Sequence, residues 1–200
     1  MIEHKETIKD YSDERKLLAT ESRCGNIYFG NYAKLIHPKY GSETRHSSGL
    51  TMTNRYASDV INALLNYDYT VLAGEIAKFV NGLGLDAYYG FYHKMRISFQ
   101  ALIYDLMEPY RWLVEYAVYQ IQEQCIKKKE YAWSREGKVF LDTNLIRRFL
   151  GLLSSKFDPE RPYKSRHGLK RADGLAMCQE ITIAKIDIQN LAEYCIGKMN

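Results

Sequence analysis

The stretch 59–84, DVINALLNYDYTVLAGEIAKFVNGLG, constrains the fold more than any other part of the chain. Val60, Leu64, Tyr67, Leu72, Ile76 and Phe79 recur at helical spacing, so one face is continuously apolar. Ser58 or Asp59 can cap its start, and the NGLG tetrapeptide supplies the glycine that ends helices. An amphipathic helix of this length must bury its face against other helices, and it is expected at the centre of the fold.

The flanking sequence supplies those partners. From 10 to 36, Leu17, Leu18, Cys24, Ile27, Tyr28 and Leu35 keep a helical rhythm until Pro38 and Gly41. The stretch 37–57 has no period and reads as a long loop. Ser98 can cap a helix carrying Leu102, Leu106 and Tyr110; Pro109 implies a kink or restart, and the run resumes to about Gln124. YAWSREGKVFL at 131–141 reads as a hairpin around Glu-Gly. Asp142 or Thr143 then caps a helix through Leu153, 158–168 is a basic loop, and 172–199 a final long helix. The expected class is mainly α: a single helical domain over 1–200, with one short hairpin.

Composition excludes several alternatives. An apolar fraction of 46% with 26% charged residues is that of a globular chain rather than a disordered one. No apolar run reaches membrane-spanning length and the N-terminus is too charged for a secretory signal, so a cytoplasmic protein is expected. Cys24, Cys125, Cys178 and Cys195 are widely spaced, which argues for reduced thiols over a zinc knuckle. The net charge of +4 permits a polyanionic partner without requiring one.

FYHKMRISFQALIYDLMEP, 91–109, raises the chemical question. Asp105 and Glu108 stand one helical turn apart and share a face, where they repel unless a proton, an arginine or a metal ion intervenes. Glu21 lies inside the first helical run. Stripping such carboxylates of water costs several kcal/mol unless a cation or hydrogen bonds replace it. Glu21, His93, Asp105 and Glu108 could share one cation, and a mostly oxygen donor set suits Mg²⁺ or Mn²⁺ better than zinc. Equally, acidic pairs are common on solvated helices, and a lone histidine is more often structural.

Three blocks of sequence resemble the helical C-terminal domain of the CRISPR-associated integrase, the first protein of the spacer-acquisition pair. They are ESRCGNIYFGNYAKL, NALLNYDYTVLAGEIAKFVNGLGLDAYYGFYH and LIYDLMEPYRWLVEYAV, in family order and spacing. The resemblance implies that Glu21, His93 and Glu108 are metal ligands for Mg²⁺ or Mn²⁺, with Asp105 at the neighbouring acidic position of the catalytic site. It implies a metal-dependent DNA nuclease and integrase that joins a DNA 3′-hydroxyl to a repeat phosphodiester. The implied partners are DNA, a second copy in a homodimer, and a small second acquisition protein. Such proteins usually carry a β-rich N-terminal domain, whereas this chain opens almost directly on the helical part.

Basic residues supply the substrate side. Lys94, Arg96 and Arg111 flank the acidic positions, and Arg161, Lys164, Arg166, Lys170 and Arg171 cluster in one loop, where they can track phosphates. The same loop read blandly is a solvated surface. The seventeen tyrosines could stack on unpaired bases, but their helical spacing suits core positions for most of them; Tyr92 and Tyr104 lie nearest the proposed ligands. A non-catalytic DNA-binding or assembly module of the same fold is the alternative function, and a redox carboxylate metalloprotein ranks last because its Glu-x-x-His pairs are absent.

Overall fold

The computed structural model describes residues 14–43, 45, 57–93, 99–135, 137–164 and 174–199. The chain divides into two compact units, residues 1–63 with 132–140, and residues 64–131 with 141–200. Among the described residues it is mainly helical, with two small two-stranded sheets.

In the first unit, α1 (Glu14–Leu35) is followed by a 3-10 turn, Pro38–Tyr40. His37 starts that turn by accepting the Lys39 amide at 3.1 Å, and Gly41 closes it at φ 63°. Tyr32, Ile36 and Tyr40 are buried here. The next helix, α2 (Val60–Gly82), begins in this unit on the cap that its sequence predicts. Asp59 accepts the Asn62 amide at 2.8 Å with one oxygen and the Asn62 side chain at 2.7 Å with the other. Strands β1 (Tyr131–Trp133) and β2 (Val139–Leu141) form the expected hairpin. It is tied to the approach to α2 by Val139 N–H donating to Ala57 C=O at 3.0 Å and by the Trp133 indole donating to Ser58 C=O at 3.2 Å.

The second unit holds the rest of α2 with α3 (Ala101–Met107), α4 (Arg111–Glu123), α5 (Thr143–Phe157) and α6 (Glu180–Met199). Leu64, Leu72, Ile76 and Val80 of α2 are buried, as are Ile103, Leu113, Val114, Ile121, Leu145, Phe149, Leu153, Ile183 and Ile188. Each such side chain stabilises the fold by roughly 1.5–3 kcal/mol relative to exposure. Pro109 lacks the amide an α-helix would use, so α3 stops at Met107 and a 3-10 turn, Glu108–Tyr110, leads into α4. The Asp142 carboxylate caps α5 by accepting the Asn144 amide at 2.8 Å.

Several expectations need correction. Residues 158–168 are not all loop: β3 (Glu160–Tyr163) pairs antiparallel with β4 (Ala176–Gln179), Arg161 opposite Cys178 and Tyr163 opposite Ala176. The final helix therefore starts at Glu180 rather than near 172. Ala176 and Cys178 are buried while Met177 between them is exposed, a period of two that a helix would not give. Helix α5 also runs to Phe157, beyond the expected Leu153. Helix α3 starts after Gln100, which makes no side-chain cap, rather than on the expected Ser98, which lies outside the described residues, as does most of 37–57. No helix among the described residues is long and apolar enough to cross a membrane.

Candidate active site

The site is built around Asp105, whose side chain is fully buried on α3. One of its oxygens accepts the amides of Phe91 at 2.7 Å and Tyr92 at 2.9 Å. The other accepts the His93 amide at 3.0 Å and the His93 ring Nδ1 at 2.5 Å. Three consecutive backbone donors and an imidazole thus replace the water that burial removed. Leu102 N–H donates to Ala87 C=O at 3.0 Å and holds the beginning of the same loop on α3.

Gly90 makes this clamp sterically available. A Cβ at that position would lie 2.7 Å from an Asp105 oxygen, 2.8 Å from the Ala101 Cβ and 2.8 Å from the His93 carbonyl oxygen. Any side chain there would push the loop off the carboxylate.

His93 is correspondingly fixed. With Nδ1–H donated to Asp105, the neutral ring keeps its lone pair on Nε2, the tautomer that a metal ligand or a general base requires. The ring is packed edgewise by Tyr92, centroids 5.4 Å apart, and by Phe99 at 5.9 Å. Tyr104 stacks on Phe99 at 4.7 Å, so it supports the histidine through a neighbour. The His93 side chain stays 35% exposed, enough to meet a ligand from solvent.

Glu108 solves its electrostatics differently. It is exposed, and one terminal nitrogen of Arg111 reaches its two oxygens at 2.9 and 3.0 Å. The Arg111 guanidinium lies 4.5 Å from the Tyr69 ring centroid, and the Tyr69 hydroxyl donates to the buried Glu115 at 2.7 Å. Burial, and then the Glu115 charge, push the Tyr69 phenol above its ordinary range, so it remains a donor. The two carboxylates one turn apart are therefore compensated separately, Asp105 by a loop and Glu108 by an arginine.

The remaining candidates are distributed unevenly. Glu21 is exposed on α1 and belongs to the first unit, while His93, Asp105 and Glu108 belong to the second. Of the three carboxylates expected on buried faces, only Asp105 is buried. Among the described residues, no group of three or more His, Cys, Asp and Glu side chains stands ready to hold a metal ion. The second unit does offer donors of the right kind: a histidine nitrogen oriented by a carboxylate, and an exposed glutamate. Arg111 is engaged by Glu108, Lys164 is exposed at the end of β3, and Lys94, Arg96, Arg166, Lys170 and Arg171 lie outside the described residues. Gly90 was not singled out from sequence, although a glycine among four aromatics in YYGFY was its visible signal.

The family model described as CRISPR associated protein Cas1 matches residues 1–155. A CRISPR-associated endonuclease Cas1 of Francisella tularensis subsp. novicida is 29% identical over 177 residues, covering 78% of this chain and 53% of the relative. One from Archaeoglobus fulgidus is 31% identical over 153 residues, 76% of this chain and 44% of the relative. The chain thus spans about half the length of the curated relatives it matches. Among solved structures, a casposase bound to integration product superposes with a TM-score of 0.85 at 25% identity, over 98% of this chain and 52% of that one. A CAS1 protein from Thermotoga maritima shares the fold at a TM-score of 0.73 and 14% identity, over 98% of this chain and 57% of that one. A Cas6-RT-Cas1–Cas2 complex gives 0.76 at 20% identity, over 98% of this chain and 20% of that one.

Proposed function

Because the chain belongs to the CRISPR associated protein Cas1 family, we propose that it acts as a divalent-metal-dependent DNA endonuclease and integrase of spacer acquisition, joining a DNA 3′-hydroxyl to a repeat phosphodiester. The observation that carries this reading is the His93–Asp105 pair, which presents an oriented imidazole from a clamped loop. Glu21, His93 and Glu108 are the residues that would hold Mg²⁺ or Mn²⁺. The ion, when bound, would neutralise non-bridging phosphate oxygens and ease formation of the attacking oxygen.

The chain's own residues do the rest. Asp105 is a positioning residue in this scheme, since its oxygens are taken by amides and imidazole. Arg111, fixed against Tyr69, holds the Glu108 carboxylate in one place and sets a positive charge where phosphate would approach. Lys94, Arg96, Lys164, Arg166, Lys170 and Arg171 would follow the DNA backbone. Partnership with a second copy is what the resemblance in sequence implies, and partnership with a small second acquisition protein is supported by the likeness in fold to a Cas6-RT-Cas1–Cas2 complex.

The Glu108–Arg111 ion pair favours a second reading, a DNA-binding assembly module of the same fold that does not cut. Plasmid nicking with added Mn²⁺ separates the two. The wild-type chain should nick, and His93→Ala, Glu108→Ala and Glu21→Ala should each abolish nicking while short-duplex binding survives. Cleavage by Glu108→Ala at the wild-type rate removes Glu108 from the ligand set, and binding without any nicking selects the assembly module.

A further inference from the structure

Asp187 lies on α6, remote in sequence from His93, Asp105 and Glu108. One of its oxygens accepts the hydroxyl of Tyr110, the last residue of the acidic 3-10 turn, and the other accepts the hydroxyl of Tyr163, the last residue of β3. Burial, and then the bond to Asp187, raise both phenols above their ordinary range, that of Tyr163 to about 12, so both remain donors at any physiological pH. A second latch sits at the start of α6, where Arg161 Nε donates to the buried Glu180 at 2.7 Å. Glu180 N–H also donates to Pro159 C=O at 3.2 Å. Strand β3 is therefore held on α6 at two levels, but only the Asp187 level reaches the turn that carries Glu108.

We propose that Asp187 is a positioning residue that registers the β3–β4 hairpin against the Glu108 turn, so that Lys164, at the end of β3, and the acidic turn keep a fixed separation. What the turn and the strand end do with that separation, metal and phosphate binding, rests on the reading proposed above. The physical basis is that one carboxylate with two phenol donors is satisfied only when hairpin and turn are both in place. Loss of either hydroxyl leaves the other bond intact but uncouples the two elements. A latch that served the hairpin alone would not involve Tyr110.

The two conservative variants Tyr110→Phe and Tyr163→Phe, with the double variant, form a cycle that reads the coupling. Amide exchange on the metal-free chain is followed at Arg111, whose N–H is bonded to the Glu108 carbonyl within the turn. Mn²⁺ binding is followed by electron paramagnetic resonance with the metal alone. Tyr163→Phe should speed exchange at Arg111 and weaken Mn²⁺ binding by roughly 10-fold, the lower end for an outer partner of a metal site, although the Tyr163 hydroxyl is bonded to Asp187 and not to Glu108 or Arg111. Tyr110→Phe should do the same, and the double variant should be no worse than the more affected single. Effects of Tyr163→Phe confined to 158–163 and 176–187, or effects that add in the double variant, would overturn the proposal. A wild-type chain that binds no Mn²⁺, or a Glu108→Ala chain that binds it equally well, defeats the metal reading instead, and the exchange cycle still decides the coupling.

Discussion

Among the described residues of the second unit, Asp68 and Asp105 are both buried, yet their surroundings are opposite. Asp105 at the loop-facing side of α3 collects four donors from residues 91–93. Asp68, midway along α2, has no hydrogen-bond partner for either oxygen among the described residues, and burial raises its pKa to about 8. The contrast shows that burial by itself neutralises a carboxylate, whereas burial with preplaced N–H groups turns it into an anchor. The site uses the anchored one.

Removing the anchor should produce the largest effect. Asp105→Ala would leave three backbone amides and the His93 N–H without an acceptor, and should cost about 3–5 kcal/mol in urea unfolding. A loss below 1 kcal/mol would mean that the loop holds its shape without the carboxylate.

Asp68 should respond in the opposite sense. Its folded pKa, about 8, lies above the ordinary carboxylate value of 3.8, so between these limits the folded state holds a proton that the unfolded state releases. Its contribution is fully present below about pH 4 and is lost as pH rises through about 8. Asp68→Asn should remove that part of the slope. The variant should be more stable than wild type at pH 9, by on the order of a few kcal/mol, and nearly equal to it at pH 4. Parallel stability-versus-pH curves for the two proteins would show that Asp68 has donors after all.

The smallest effect tests the steric half of the clamp. Gly90→Ala, which retains all four donors but crowds Asp105 and Ala101, should destabilise by about 1–3 kcal/mol and shift the His93 ring resonances. Unchanged His93 resonances would show that the loop absorbs the methyl group without moving the ring.

Much of the scaffold was legible in the sequence because it follows from contacts within a few residues. Asp59 caps α2 through Asn62, three residues on, and Asp142 caps α5 through Asn144. Pro109 stops one helix and starts the next for lack of a single N–H. The hairpin at 131–141 appears where alternation and Gly137, at φ 75°, place it. The β3–β4 hairpin escaped the same reading: Pro162 and the charges around it looked like loop, and its partner strand lies beyond an intervening basic segment.

The partners of the charged side chains divide along the same line. The Glu108–Arg111 pair, three residues apart, falls within the spacing that sequence alone makes available, one of the partners it left open for Glu108. Asp105 with the amides of 91–93, Tyr69 with Glu115, and Asp187 with Tyr110 and Tyr163 join residues 12 to 77 positions apart. Only the tertiary structure decided those. A carboxylate on an apolar helix face states that a partner must exist, but which donor reaches it depends on where packing brings a distant segment of chain, and no local periodicity records that.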